Sequence, residues 1–192
     1  MRLFVAVYPP ADALDDLAAL VAGLAIGEPR PPGASLRLAP RERWHLTLAF
    51  LGDVAPRRVD AASAVVERAV DSWRTPGASP PAVWLAGGGR FGRGRFTTIW
   101  VGLRGELDGL GAIAGAIRRE LRTAKLPFDG KPLHAHLTLA RPADRLEPER
   151  LAADLATLDR YEGPKWTVDS VSLVRSELGP YPRHEPILTV PL

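Results

Sequence analysis

The hydrophobic and polar positions of this chain follow two periodicities, one typical of helices and one typical of strands. Four stretches carry apolar residues every three or four positions, as an amphipathic helix requires. Shorter stretches rich in Val, Phe, Trp and Leu are typical of β-strands. The predicted helices are 11–25, 57–73, 106–122 and 148–158. The predicted strands are 2–8, 44–51, 83–86, 96–103, 133–141, 166–175 and 186–192.

The order of these elements repeats along the chain. A strand–helix–strand–helix–strand succession occurs roughly twice, with a hairpin of strands near the second helix of each half. Glycine and proline fill the intervals, as at 27–33 and 75–81, and mark turns there. This organisation predicts an α+β protein and prompts a search for an internal repeat.

A five-residue segment occurs in both halves. The sequence HLTLA at 45–49 recurs letter for letter at 136–140. Because side chains alternate in a strand, the histidine and threonine of each copy point to one face and the leucines to the other. If a pseudo-two-fold axis relates the halves, the two polar faces meet across a cleft.

The four polar side chains of the repeat suit a phosphodiester. One imidazole can accept a proton from the attacking oxygen while the other donates a proton to the leaving oxygen, both near neutral pH. The two hydroxyls can donate hydrogen bonds to the non-bridging oxygens, where negative charge accumulates. Neither a metal nor a covalent intermediate is required. We therefore expect His45 and His136 to be catalytic and Thr47 and Thr138 to bind the substrate.

The paired segments resemble the H-x-T-x signatures of the 2H phosphoesterase superfamily, in particular its bacterial and archaeal RNA 2′,3′-cyclic phosphodiesterase branch, historically called 2′-5′ RNA ligases. One departure is Ala135, since the family usually has proline before the second motif histidine. The resemblance covers almost the whole chain, at 2–7, 44–52, 99–103, 136–141 and 176–181.

The resemblance implies a bilobal, LigT-like α+β fold: two pseudo-two-fold-related lobes of antiparallel sheet, with helices outside and a central cleft. It implies a single domain over 1–192 made of two interleaved lobes. The implied activity is metal-independent hydrolysis of a terminal RNA 2′,3′-cyclic phosphate to a 2′-phosphate. His45 would protonate the departing 3′ oxygen and His136 would activate water. The reverse reaction would join RNA ends through a 2′-5′ linkage.

Arg141 and Tyr181 complete the substrate site that the resemblance implies. Arg141 lies at an odd offset from His136, so it reaches the phosphate only if the strand ends or bulges first. Tyr181 follows the C-terminal signature and is a candidate to stack on a base. Phe91 and Trp44 are further stacking candidates, although core or rim packing explains both more simply.

Composition excludes several classes of site. The chain has no cysteine, which excludes disulfides, thiolate zinc sites, iron–sulfur clusters and a cysteine nucleophile. The net charge is +3, and nearly all of the basic residues are arginine. A coding bias and phosphate recognition by guanidinium groups both explain the arginines, and composition does not choose between them. We expect no cofactor.

Two further motifs have competing interpretations. His134 and His136 could chelate a metal with Asp129 as the third ligand, which predicts that a chelator abolishes activity. The glycine-rich segment 87–95 matches G-x-G-x-x-G, but the predicted strand after it excludes a dinucleotide site, which needs a helix there. Its three arginines either contact an RNA backbone or form a solvated hairpin tip. They are Arg90, Arg93 and Arg95.

Other substrates and roles stay open at this stage. Cyclic phosphates of ADP-ribose and 2′-5′ oligoadenylates are alternative substrates, and an RNA-binding module without turnover is an alternative role. We expect the protein to be cytoplasmic, because no apolar run is long enough to span a membrane and the N-terminus lacks a signal sequence. We also expect a monomer. His184 lies in a charged, proline-flanked stretch, where we expect it to be exposed.

Overall fold

Nine strands and four α-helices make up the computed structural model, which describes residues 1–29, 37–92, 97–141, 146–177 and 183–192. The helices are α1 Ala11–Ala22, α2 Val59–Trp73, α3 Leu107–Thr123 and α4 Pro148–Asp159. The strands are β1 Arg2–Val7, β2 Arg37–Leu38, β3 Leu46–Asp53, β4 Ala82–Phe91, β5 Thr98–Gly105, β6 His136–Arg141, β7 Glu162–Thr167, β8 Ser170–Glu177 and β9 Arg183–Pro191.

All nine strands belong to one curled antiparallel sheet, which confirms the predicted α+β class. Its order is β7-β4-β5-β6-β3-β1-β8-β9, with the short β2 added beside β6. The two strands that carry the repeated segment, β3 and β6, are therefore neighbours at the centre of the sheet. Three strands continue outward on each side of this pair.

The helices cover one face of the sheet in two pairs. Helices α1 and α4 pack on β4 and β7, whereas α2 and α3 pack on each other and contact β8, β9 and β3. Helix α1 follows β1 in sequence but lies on the opposite half of the sheet. Each half of the sheet is therefore covered by one helix from the N-terminal part of the chain and one from the C-terminal part.

The first strand shows how the sheet separates the core from the site. Leu3, Val5 and Val7 are buried toward the helices in the main core. Phe4 and Ala6 are buried on the opposite face, in a small separate cluster. Alternation along one strand thus supplies both the core and the concave surface.

Several predicted boundaries were wrong. The single strand predicted over 166–175 is two strands, β7 and β8, because the chain leaves strand conformation at 168–169 and the two strands pair on opposite halves of the sheet. Residues 87–91 of the glycine-rich segment, which was predicted as a hairpin loop, lie within β4, which continues to Phe91. Its glycines allow close packing there: a Cβ on Gly89 would lie 2.5 Å from the ring of Trp100. As predicted, a strand follows this segment.

None of the helices in the described part of the chain is both long and apolar enough to cross a membrane.

Candidate active site

Leu46 of β3 lies directly opposite Leu137 of β6, in the one residue pair that joins these two strands. Both leucines are buried toward the helices. Continuing the antiparallel register by one residue on each side places His45 opposite Thr138, and Thr47 opposite His136. The two copies of the repeat thus meet at a local two-fold arrangement. All four polar side chains lie on the face opposite the core, as the alternation predicts.

Each histidine of the repeat is held by the same hydrogen bond. His45 Nδ1 lies 2.7 Å from the carbonyl oxygen of Arg43, and His136 Nδ1 lies 2.6 Å from the carbonyl oxygen of His134. A carbonyl oxygen can only accept, so Nδ1 of each ring carries a hydrogen and donates it. The Nε2 atom of each neutral ring is therefore unprotonated and available for proton transfer.

A β-bulge follows the threonine in both copies. In β6, Trp100 pairs with Thr138 and Ile99 with Ala140, so Leu139 has no partner on β5. In β3, Leu48 likewise has no partner on β1, because Ala6 pairs with Thr47 and Val5 pairs with Ala49. Two consecutive buried residues mark each bulge and shift the alternation by one position.

The bulge in β6 provides what Arg141 needs in order to reach the histidines. Beyond it, Arg141 is exposed at the end of the strand and returns to the face that carries His136. Its positive charge lowers the pKa of both His45 and His136. The structure therefore brings Arg141 to the site by the route that the sequence left open.

Burial lowers the pKa of both motif histidines below the ordinary value of 6.5. The carbonyl hydrogen bonds oppose this effect, because they favour the protonated ring. Nearby positive charge reinforces it: Arg43, His136 and Arg141 act on His45, whereas His134 and Arg141 act on His136. All of these charged groups are cationic. Such an environment favours an anionic ligand.

Aromatic side chains surround His45. Phe4 stacks beneath its ring at 4.7 Å between centroids, with 28° between the planes. Tyr8 lies at 5.9 Å, and burial raises its pKa to about 12, so its hydroxyl stays protonated. His184 packs edge-on at 5.0 Å. The expectation that His184 is exposed was wrong, because its ring is half-buried against Phe4 and His45.

A second aromatic group surrounds His136. Phe91 packs edge-on against it at 5.0 Å, and Trp100 lies at 6.3 Å. Exposed His134 contacts both aromatic rings and lies 5.5 Å from His136. Trp44, in contrast, is only 3% exposed and donates its indole N–H to the Ala39 carbonyl, so it is a core residue.

In the described part of the structure, no third ligand accompanies His134 and His136 to form a metal site. Strand β6 begins at His136, so His134 precedes the strand instead of sharing its face. Asp129 lies in an ion pair with Lys131, at 3.4 Å. Among the described residues, no three His, Asp or Glu side chains converge in a way that could hold a metal ion.

Some predicted residues cannot be placed. Tyr181 lies outside the described residues, as do Arg93 and Arg95 of the glycine-rich segment. Arg90 is exposed on β4. The aromatic side chains that the structure does place at the histidines are Phe4, Tyr8, Phe91 and Trp100. Among these, only Phe91 was a candidate from the sequence.

Comparisons with known proteins agree with this architecture. The chain matches the model of the 2′-5′ RNA ligase superfamily over residues 13–180. An RNA 2′,3′-cyclic phosphodiesterase of Escherichia coli (strain K12) is 33% identical over 113 residues, which cover 59% of this chain and 58% of that protein. One of Thermus thermophilus is 28% identical over 192 residues, covering 94% and 84%.

Solved structures share the fold. The crystal structure of the protein TT0787 of Thermus thermophilus superposes with a TM-score of 0.74 at 26% sequence identity. The superposition covers 100% of this chain and 98% of that one. The whole arrangement of strands and helices is therefore common to both proteins.

Proposed function

The chain belongs to the 2′-5′ RNA ligase superfamily, and on that premise we propose that it is an RNA 2′,3′-cyclic phosphodiesterase that works by two-histidine acid–base catalysis. The observation that carries the proposal is the matched tethering of His45 and His136. Each ring donates Nδ1–H to a backbone carbonyl, so each Nε2 is available on a shared cationic face. The relatives named above act on the same class of RNA end.

The proposed reaction opens the cyclic phosphate in one displacement. His136 accepts a proton from water at Nε2 as the water oxygen bonds to phosphorus. His45, protonated at Nε2, gives its proton to the 3′ oxygen as the bond from phosphorus to that oxygen breaks. The products are a 2′-phosphate and a free 3′-hydroxyl. A 5′-hydroxyl in place of water would give a 2′-5′ linkage by the same steps.

The remaining polar groups stabilise the phosphate. Thr47 and Thr138 each donate a hydroxyl hydrogen to a non-bridging oxygen, where charge increases in the transition state. Arg141 contributes a guanidinium that can contact two oxygens together. Tyr181 would stack on the terminal base. We propose that the chain acts as a monomer on the end of an RNA strand.

The test uses a short RNA that ends in a 2′,3′-cyclic phosphate, with EDTA present throughout. The wild-type protein should open the ring to a 2′-phosphate only, and His136→Ala should lower the rate by about 10²–10⁴-fold. The matched control is His134→Ala, which removes a neighbouring imidazole but keeps the backbone carbonyl that holds His136. This control should retain most of the activity.

Three outcomes would contradict the proposal. A 3′-phosphate product would place the leaving oxygen elsewhere, and activity only after metal replaces EDTA would restore the metal hypothesis. No opening by the folded wild-type protein would point to another cyclic or 2′-5′ substrate, or to binding without turnover. Cyclic phosphates of ADP-ribose and 2′-5′ oligoadenylates are the substrates to assay in that case.

A further inference from the structure

The His45 ring is held from three directions. Its Nδ1 is fixed by the Arg43 carbonyl, and its lower face rests on Phe4. On a third side His184 packs with 79° between the ring planes. His184 also packs edge-on against Phe4, at 5.0 Å and 71°. The rings of Phe4, His45 and His184 therefore each pack against the other two.

The contact between His45 and His184 depends on the curvature of the sheet. Strands β8 and β1 separate β9 from β3, and a flat sheet would place strands three positions apart roughly 14 Å from each other. The two rings nevertheless lie 5.0 Å apart over Phe4. A side chain from the edge strand is thus brought to a ring at the centre of the sheet.

We propose that His184 is a positioning residue for the reaction proposed above: its ring confines His45 against Phe4 and keeps Nε2 directed at the phosphate. Without it, rotation of the His45 ring about χ2 would break the Nδ1 hydrogen bond. Such a rotation would move the proton donor away from the leaving oxygen, and small displacements of a catalytic group are costly in rate.

The ring of His184, and not its nitrogen atoms, carries this role. His184 Nδ1 is buried and has no hydrogen-bond partner among the described residues. The charged groups that act on His184 are Arg43 and the protonated form of His45. Burial, together with these charges, lowers the pKa of His184 to about 4, so the ring is neutral near neutral pH. A neutral aromatic side chain of similar shape should therefore replace it.

The experiment compares His184→Ala with His184→Phe in steady-state kinetics on the cyclic phosphate RNA. The alanine variant should lose roughly 10-fold to 100-fold in kcat with KM changed less than about 2-fold. The phenylalanine variant should recover most of the lost kcat. A rise in KM at unchanged kcat would show that His184 binds RNA directly and would overturn the proposal. A phenylalanine variant as slow as alanine would also overturn it, since the nitrogen atoms would then be required.

A second readout does not depend on the substrate and separates this proposal from the proposed function. With only four histidines in the chain, ¹⁵N spectra of the free protein can report the His45 tautomer. Wild type and His184→Phe should show the Nδ1–H form, and His184→Ala should show a mixture of tautomers. An unchanged tautomer in His184→Ala, with folding verified by thermal unfolding, would refute the positioning role. This holds even if the wild-type protein opens no cyclic phosphate.

Discussion

Arg141 occupies, in the second copy of the repeat, the position that Phe50 occupies in the first. Both residues follow the bulge by two positions and return to the concave face. Phe50 packs against the cluster of Phe4 and Ala6, and the guanidinium of Arg2 lies 4.8 Å above its ring. The equivalent positions of the two copies therefore differ in chemistry: a phenyl ring follows the first copy, and a guanidinium follows the second.

Replacing Arg141 by glutamine should weaken substrate binding and raise the pKa of both motif histidines. The positive charge of Arg141 lowers both pKa values, so its removal moves them upward. We expect kcat/KM to fall about 10-fold to 100-fold, the value of a charge-assisted hydrogen bond. The pH of maximal kcat/KM should rise. Arg68→Gln is the matched control, since Arg68 lies on α2, in an ion pair with Glu120 on the helix-covered side of the sheet, and should affect neither quantity.

The pH dependence of kcat/KM should be bell-shaped, with its maximum on the acid side of 6.5. One histidine must be neutral and the other protonated, and both pKa values in the free protein lie below 6.5 because the rings are buried. Initial rates at low substrate concentration, measured from about pH 4.5 to about pH 8, test this expectation. A maximum above about pH 7, or a rate that rises steadily with pH, would be incompatible with this pair of groups.

Thr47→Val and Thr138→Val should each reduce kcat by roughly 10²-fold, the typical effect of removing one donor to a developing negative charge. Valine preserves the shape of threonine, so the strands should fold unchanged. Single-turnover rates would isolate this loss from substrate binding. Serine at either position should restore much of the rate. Thr157→Val on α4, whose hydroxyl bonds to the Ala153 carbonyl, is the control and should be fully active.

The free energy of unfolding should fall as the pH is lowered from about 6.5 to about 4. His184 has a pKa of about 4 in the folded protein, and the unfolded chain takes up protons near 6.5. In this window the unfolded state binds more protons, so acid favours unfolding. Denaturant titrations at several pH values would measure the slope. His184→Phe should show a shallower slope, while differing little from wild type at about pH 8.

The repeat and its alternation were sufficient to predict from the sequence which side chains of each copy share a face. That β3 and β6 are direct neighbours in one sheet is a finding of the structure, since the sequence predicted only that the two polar faces meet across a cleft. From the sequence, a bulge in the second strand could be stated only as a condition for Arg141 to reach the phosphate. The sequence does not show that Leu48 and Leu139 lack partners on the neighbouring strands, because a bulge depends on how those strands pair.

The surroundings of the histidines could not be predicted in the same way. Phe4 lies on a strand that was predicted, but which face of that strand meets His45 depends on the sheet order. His184 is far from His45 in sequence, and its contact depends on the accumulated curl of three strand pairs. The local pattern around His184, charged and flanked by proline, indicates exposure. Tertiary curvature overrides this signal.

The most direct test of the two-histidine mechanism is the pH–rate profile of each single histidine variant on the cyclic phosphate RNA. His45→Ala lacks the acid, so its residual rate should no longer fall at high pH. His136→Ala lacks the base, so its residual rate should no longer fall at low pH. If His45→Ala loses the high-pH limb of the profile and His136→Ala loses the low-pH limb, His45 is the acid and His136 is the base. If either variant keeps the full bell-shaped profile, or both lose the same limb, the assignment of acid and base is wrong.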